Sequence, residues 1–378
     1  MDWNAFLVPA LRGLAPYRPG ITEEKLRAER GLHDIHKFSS NESPFPPPPG
    51  VLAAMQRALD QSNRYPDSGA LLDKLARHQR VPADMLALGN GSIDVIASLV
   101  QAFVPADRNV VLSEYGYCAY PPFVTTQSAA LRIAASGPDF GHDVDRLLEQ
   151  VDSNTRMLIV DSPTNLSGRS LTAAQLEHLI AQLPSNVLLV LDEAYAEFAE
   201  FADDDAPRDT GQLPLSHPNV VVTRTFSKAY GLAGLRIGYA IAAAGLIDAL
   251  SRIRPPFPVS RVALAGATAA LDDEAHLVRV VETTARGRAR LAADLRTLGA
   301  TVVDSSANFV LADFGPHAAH IYDALLSHGF ITRQMSAYRL PTHLRIAIGT
   351  PDEIDRLVDL VRRLVGARTG SDANGVLA

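Results

Sequence analysis

A single cysteine, Cys118, and a single tryptophan occur in the 378 residues. One thiol excludes an internal disulfide framework and any cysteine-based zinc cluster, and a reduced compartment is the simplest setting. Cys118 itself is expected to pack rather than to act as a nucleophile. No apolar run approaches the roughly 20 residues that cross a bilayer. The opening MDWNAFLVPALRG has no basic stretch before an apolar core, so no secretory signal is read there and a cytoplasmic location is expected. Basic surplus is also missing. The net charge of −7 carries no basic patch, which argues against nucleic acid as a partner. Internal repeats and a Gly-Lys-Ser/Thr nucleotide loop are absent. Glu197, Glu200 and the run Asp203-Asp204-Asp205 read as a solvated acidic loop, with no metal site expected.

What remains is ordinary for a globular enzyme, at 47% hydrophobic and 20% charged residues. The length exceeds one simple core, so two domains are expected. The most informative stretch is VVVTRTFSKAYGLAGLRIGYA, Val220 to Ala240. Val220–Thr223 reads as a buried strand and Ile237–Ile241 as a second one. Between them stands Lys228, and burying an ammonium is costly unless it is paired or its pKa falls. A neutral lysine amine is what attack on an aldehyde requires. The Thr225 and Ser227 hydroxyls and the Arg236 guanidinium are phosphate-binding groups. Together these describe a seat for pyridoxal 5′-phosphate.

Other polar residues sit just past apparent strand ends. Leu86–Ser92 is a strand running into a glycine turn, with a helix Ile93–Phe103 behind it. Such a turn offers unpaired N–H groups and a dipole end to an anion. Asn109–Leu112 leads to Tyr115, whose ring could stack on a cofactor, with Tyr117 and Tyr120 as core or substrate wall. Arg156–Val160 leads to Asp161-Ser162-Pro163-Thr164-Asn165. Val187–Leu191 stops at Asp192-Glu193-Ala194-Tyr195, and a carboxylate there must find a cation or a protonated ring. Strands alternating with helices imply parallel βαβ units with ligands at the strands' carboxyl ends. Beyond Pro258, residues 259–298 read as one or two long helices. Strands at Thr301–Val303, Asn308–Ala312, Ile331–Arg333 and Leu344–Ala347 follow. Arg345, flanked by apolar residues on a strand, suits a carboxylate or phosphate.

The segment TRTFSKAYGLAGLRIGYA resembles the cofactor-lysine signature of the fold type I, class I and II aminotransferases, and is most similar to the histidinol-phosphate aminotransferase family. The resemblance extends from Pro16 to Gly349, through Arg64-Tyr65-Pro66-Asp67, the GNGS turn and Asp192-Glu193-Ala194-Tyr195. It implies that Lys228 bonds the cofactor and then shuttles the substrate proton. Asp192 would keep the pyridine nitrogen charged, and Asn165 and Tyr195 would face the phenolate oxygen. Gly91, Ser92, the N–H of Ile93, Thr225, Ser227 and Arg236 would hold the phosphate, and Tyr115 would stack on the ring. Tyr65 would reach the neighbouring subunit's phosphate, so a homodimer is implied. Arg345 and Arg333 would bind the substrate's acid group, with Tyr17 and Asn41 beside them.

The expected architecture is therefore α/β. It has a large, doubly wound, mostly parallel sheet domain over 41–255 and a smaller α+β domain over 256–366. An arm, 1–40, joins the small domain, and residues 367–378 form a tail. The expected reaction is transfer between an amino donor and a 2-oxo acid, of the histidinol-phosphate:2-oxoglutarate type. Ser43, Pro46, Ile93 and Leu166 depart from the family pattern. They leave open an aromatic amino-acid or specialised-pathway aminotransferase, or a pyridoxal-phosphate-dependent amino-acid-phosphate decarboxylase.

Overall fold

The computed structural model describes residues 1–16 and 20–372, so Tyr17 lies outside the described residues. In chain order the strands are β1 (His36–Lys37), β2 (Leu86–Gly89), β3 (Asn109–Ser113), β4 (Ala130–Ala134), β5 (Thr155–Asp161), β6 (Leu188–Asp192), β7 (Val220–Thr225), β8 (Gly238–Ile241), β9 (Thr301–Val303), β10 (Phe309–Asp313), β11 (Phe330–Ile331), β12 (Arg333–Met335) and β13 (Leu340–Ala347). The helices that frame the site are α1 (Glu23–Arg30), α2 (Pro49–Leu59), α3 (Ser92–Phe103), α4 (Ala196–Ala202), α5 (Arg261–Ala270), α6 (Glu274–Thr297) and α7 (Pro351–Asp372).

Seven strands form the main sheet in the order β2-β8-β7-β6-β5-β3-β4. Pairs from β4 to β7 are parallel, and β8 runs antiparallel to both its neighbours. The apolar runs of β5, β6 and β7 are buried almost throughout, as strands covered on both faces must be. One cluster around Val95, Leu99, Val110 and Tyr120 fills one face, and another around Leu158, Leu176 and Leu189 fills the other. The carboxyl ends of β5, β6 and β7 consequently open on one edge, beside the start of β8. No helix among the described residues is long and apolar enough to cross a membrane.

A second sheet, β12-β13-β10-β9, packs on α6 and α7 around Leu291, Leu295, Ile346 and Leu357. The arm joins this unit through β1, which pairs in parallel with β11. Packing crosses the expected boundary at 255/256. The Ala- and Leu-rich face of α5 buries Ala263, Leu264 and Ala267 with Val51 of α2 and Leu71, in the large-sheet unit. Helix α6 then spans both units, with Val280 and Val281 against Tyr195 and Leu291 among the small-sheet residues.

Three local expectations are corrected. The strand expected at Ile331–Arg333 is two strands, because Phe330–Ile331 pairs with β1 while Arg333–Met335 pairs with β13. Cys118 is exposed rather than packed. Glu197 and Glu200 are not in a solvated loop. They lie on α4, whose face turns them toward the buried Arg224, and Glu200 pairs with it at 2.6 Å.

Candidate active site

Helix α3 begins immediately after Gly91, whose φ of 84° is a left-handed backbone that glycine adopts without strain. A Cβ at Gly91 would lie 2.7 Å from Arg236 Nη2, so the missing side chain keeps the guanidinium close to the helix N-terminus. Gly238 does the same from β8, where a Cβ would fall 2.4 Å from the Ser92 nitrogen. The first-turn N–H groups of Ser92 and Ile93 have no partner within the helix, as at any helix start. Opposite them, Arg236 Nη1 donates to Ser227 Oγ at 3.3 Å, and Thr225 Oγ1 donates to the same oxygen at 3.0 Å. Backbone donors, two hydroxyls and one cation thus converge on a site suited to an anion.

At the other end, Asp192 closes β6 with a carboxyl that is 4% exposed. Tyr120 donates to its Oδ2 at 2.8 Å and Thr223 to its Oδ1 at 3.2 Å. Among the described residues no Lys, Arg or His lies within ion-pair distance of it. Burial, first of all, pushes its pKa up to about 7, and neighbouring Asp161 adds to the rise. Asp161 is the parallel-ladder partner of Asp192 and lines the same cleft. It accepts the Asn165 N–H at 2.6 Å.

Lys228 follows β7 and sits between these two ends. Its amine donates to the Ser40 carbonyl at 3.1 Å and lies 5.5 Å from the centre of the Tyr195 ring. Burial holds its pKa down to about 8, with the Arg345 charge as the second cause. A lysine so placed has far more free amine at neutral pH than one in water.

Arg345, on β13, reaches in from the small-sheet unit. Its Nη1 donates to the Asn165 carbonyl at 2.6 Å and to Asn165 Oδ1 at 2.8 Å. It is 8% exposed, and its guanidinium lies 5.2 Å from the Phe309 ring centre. Arg333 is its direct partner across the β12–β13 ladder.

One cleft is therefore lined by Gly91, Ser92, Ile93, Asn165, Asp192, Tyr195, Thr225, Ser227, Lys228 and Arg236, all expected there, and additionally by Tyr117, Tyr120 and Asp161. Tyr115 is not among these residues. It turns away to meet Phe140 edge-on at 5.3 Å, in a small apolar cluster with Leu166 and Met335. The turn after β3 advances the ring that faces the cleft by two residues, to Tyr117. Asn41 is 1% exposed and bonded to Tyr195 and Asn308 rather than open to the cleft. Tyr65 is 77% exposed and stacks on Phe257 at 4.6 Å, on the surface of the chain. Asp161 carries no distinguishing mark in the sequence, because one acidic residue at a strand end is common. Its place as next-strand neighbour of Asp192 was the available signal. Beside the cleft, sharing Tyr117 and Tyr120, lies a chamber of about 580 Å³ that Tyr115, Tyr338, Glu114 and Arg339 also line. Among the described residues no group of His, Cys, Asp or Glu could hold a metal ion.

Comparison with known proteins bears on this geometry. A family model for aminotransferase class I and II matches residues 33–361. Histidinol-phosphate aminotransferase 2 of Methylococcus capsulatus is 41% identical over 363 residues, covering 94% of this chain and 97% of that protein. Histidinol-phosphate aminotransferase 2 of Pseudomonas aeruginosa is 38% identical over 369 residues, covering 96% and 99%. Among solved structures, histidinol-phosphate aminotransferase from Sinorhizobium meliloti, in complex with pyridoxal-5′-phosphate, superposes with a TM-score of 0.86. That protein is 32% identical, and the match covers 96% of this chain and 98% of the other.

Proposed function

The chain belongs to the class I and II aminotransferases, and from that membership we propose that it moves the amino group of histidinol phosphate to 2-oxoglutarate, using pyridoxal 5′-phosphate in the cleft at Lys228. The donor set suits that cofactor. The Gly91 turn brings the first-turn N–H groups of the helix close to Arg236, and Asp192 is a buried carboxyl with no cation at ion-pair distance among the described residues. The cofactor supplies an aldehyde for an amine to bond and a protonated ring that draws in the electron pair of a Cα–H bond.

Each residue then has a task. Gly91, Ser92, Ile93, Thr225, Ser227 and Arg236 hold the phosphate. Asp192, neutral or charged by small shifts around pH 7, turns to its charged form beside a pyridinium nitrogen. Tyr117 would flank the cofactor's ring, and Asn165 and Tyr195 would donate to its oxygen. The Lys228 amine is the base that takes the proton from the donor's Cα and later returns one. Arg345 and Arg333 grip the phosphate of one substrate and the carboxylate of the other, the Asn165 contacts of Arg345 giving way to the incoming acid group. Tyr65, stacked on Phe257 at the surface, would serve the site of a second copy.

The observation that carries this reading is the single cleft that joins a depressed lysine, an anion cradle and a buried acid. The test is an assay with histidinol phosphate, phenylalanine, tyrosine and histidine as donors to 2-oxoglutarate. Histidinol phosphate is expected to give the highest kcat/KM by at least an order of magnitude. Carbon dioxide release from an amino-acid donor, leaving its amine and forming neither a keto acid nor glutamate, would overturn the transfer reading in favour of decarboxylation. The chamber with four tyrosine walls favours a ring-bearing donor and keeps one second reading, an aromatic amino-acid aminotransferase. In that case phenylalanine or tyrosine would head the panel.

A further inference from the structure

Tyr195 receives two hydrogen bonds through its hydroxyl. Asn165 Nδ2 donates at 2.8 Å and Asn41 Nδ2 at 3.0 Å. Before substrate arrives, the Asn165 amide is fixed in direction, because its Oδ1 takes a guanidinium N–H from Arg345 at 2.8 Å. A phenol oxygen offers two lone pairs and one proton. With both lone pairs engaged, and no acceptor for the proton among the described residues, that proton is left to the cleft Tyr195 lines.

Asn41 is built around this contact. It is 1% exposed and holds φ at 54°, a left-handed backbone that asparagine tolerates better than most residues. Its own carbonyl takes an N–H from Asn308 at 3.0 Å, which ties it to the small-sheet unit. The preceding carbonyl, that of Ser40, takes the Lys228 amine. The turn thus aims one group at Tyr195 and the adjoining one at Lys228. Outliers held this firmly gather at functional sites.

We propose that Asn41 is a positioning residue whose amide donor holds the Tyr195 hydroxyl as a proton donor aimed at the cofactor's ring oxygen. This rests on the cofactor reading given above. Asn41 acts through Tyr195 and makes no substrate contact. A hydrogen bond to the ring oxygen drains its electron density, so the neighbouring nitrogen that joins lysine to cofactor keeps its proton less tightly. Two donors on Tyr195 make its hydroxyl a stronger acid and sharpen that effect. The other charges facing Tyr195 are Lys228 after β7, Arg345 on β13, and Asp161 and Asp192 at the ends of β5 and β6. None of them is altered by the variants below.

The experiment is a pH titration of the visible absorption band of the loaded protein, with cofactor affinity measured alongside by fluorescence quenching. Asn41→Gly removes the donor and keeps the left-handed backbone. Its titration midpoint is expected to rise by about half a unit to one unit, the size of one modest hydrogen bond. In a Tyr195→Phe background the same substitution should add nothing, since the shift passes through the hydroxyl. Should Asn41→Gly not fold, Asn41→Asp keeps the shape but must accept the Tyr195 proton. It should raise the midpoint further, and by less once the hydroxyl is gone. An unchanged midpoint, or an equal rise with and without the Tyr195 hydroxyl, overturns the proposal. If wild-type protein gives no visible band with pyridoxal 5′-phosphate, the cofactor reading fails and this inference fails with it.

Discussion

Arg333 on β12 and Arg345 on β13 stand directly opposite one another in an antiparallel ladder. Residues so paired point to the same face with Cβ atoms about 5 Å apart, and like charges there destabilise a sheet. An anion between the two side chains reverses the sign. If Arg333 and Arg345 share the substrate's acid group, as proposed above, a substrate with a phosphate or carboxylate is favoured over an uncharged one. Removing one guanidinium should lose a charge-assisted contact worth about 1.5–3 kcal/mol. Arg345→Gln is expected to lower kcat/KM by about 10- to 100-fold for histidinol phosphate and for 2-oxoglutarate alike. Steady-state kinetics on each half-reaction checks this, and a loss confined to one substrate would mean separate anchors.

Lys228 gives a pH signature. Its folded pKa is depressed to about 8 by burial. At pH 7 about a tenth of such a lysine is free amine, against roughly one part in a few thousand for an ordinary one. Capture of the cofactor aldehyde by cofactor-free protein should therefore speed up as pH rises and level off just above 8. Stopped-flow absorbance reads this directly. A rate still climbing tenfold per unit at pH 9.5 would place the amine in water. Lys228→Ala should leave no band that borohydride can trap on the protein.

Asp192 predicts a conflict between stability and function. Its folded pKa is raised from 3.8 to about 7, so in the cofactor-free protein its contribution is fully present below the lower value and is lost as pH rises from there through about 7. A rise of this size corresponds to roughly 4 kcal/mol at pH 8. Asp192→Asn should make the cofactor-free protein more resistant to urea at pH 8, and the gain should fade toward pH 4. The same substitution should weaken cofactor retention, because a neutral amide cannot hold a pyridinium proton.

These residues differ in how far the sequence alone exposed them. Lys228 and Asp192 were legible because each ends a run of apolar β-formers, where a charge has to have a purpose. The order of strands and the polar strand ends followed from the same runs. Which of the three nearby tyrosines turns inward is not legible, because the chain between β3 and the next helix is irregular and shows no periodicity. Asn41 looked like a substrate contact because its partners, Tyr195 and Asn308, are 154 and 267 residues away along the chain. The burial of Glu197 was hidden for a similar reason. Its short helix carries acids on the face that meets Arg224, and only the folded chain shows that Arg224 points there.

That buried arginine leads to a prediction about folding alone. Arg224 is 6% exposed and pairs with Glu193 at 2.9 Å and Glu200 at 2.6 Å, on the side of β7 away from the cleft. Burial has already pushed Glu197, beside them, up to about 7. Taking Arg224 away strands the carboxylates it pairs with, a loss of about 3–5 kcal/mol. Arg224→Met should thus cut the urea midpoint sharply. Arg252→Ala, which removes an exposed i,i+4 pair with Asp248, should change stability by no more than about 0.5 kcal/mol.

The remaining prediction concerns Tyr65. Its ring is exposed and stacked on Phe257, itself 53% exposed with φ at 55°, an uncommon backbone for a bulky side chain. A tyrosine that serves a neighbour's phosphate needs such a platform to hold its exposed ring out from its own chain. Mixing inactive Lys228→Ala protein with weakened Tyr65→Ala protein separates the two possibilities. If Tyr65 serves the other subunit, a mixed dimer has one site with both residues intact. Random exchange between two-fold copies would then restore about a quarter of wild-type sites. If Tyr65 serves its own chain, no mixed dimer contains an intact site and activity stays at the average of the two parents. Recovery after co-refolding, followed by the histidinol phosphate assay, decides between them.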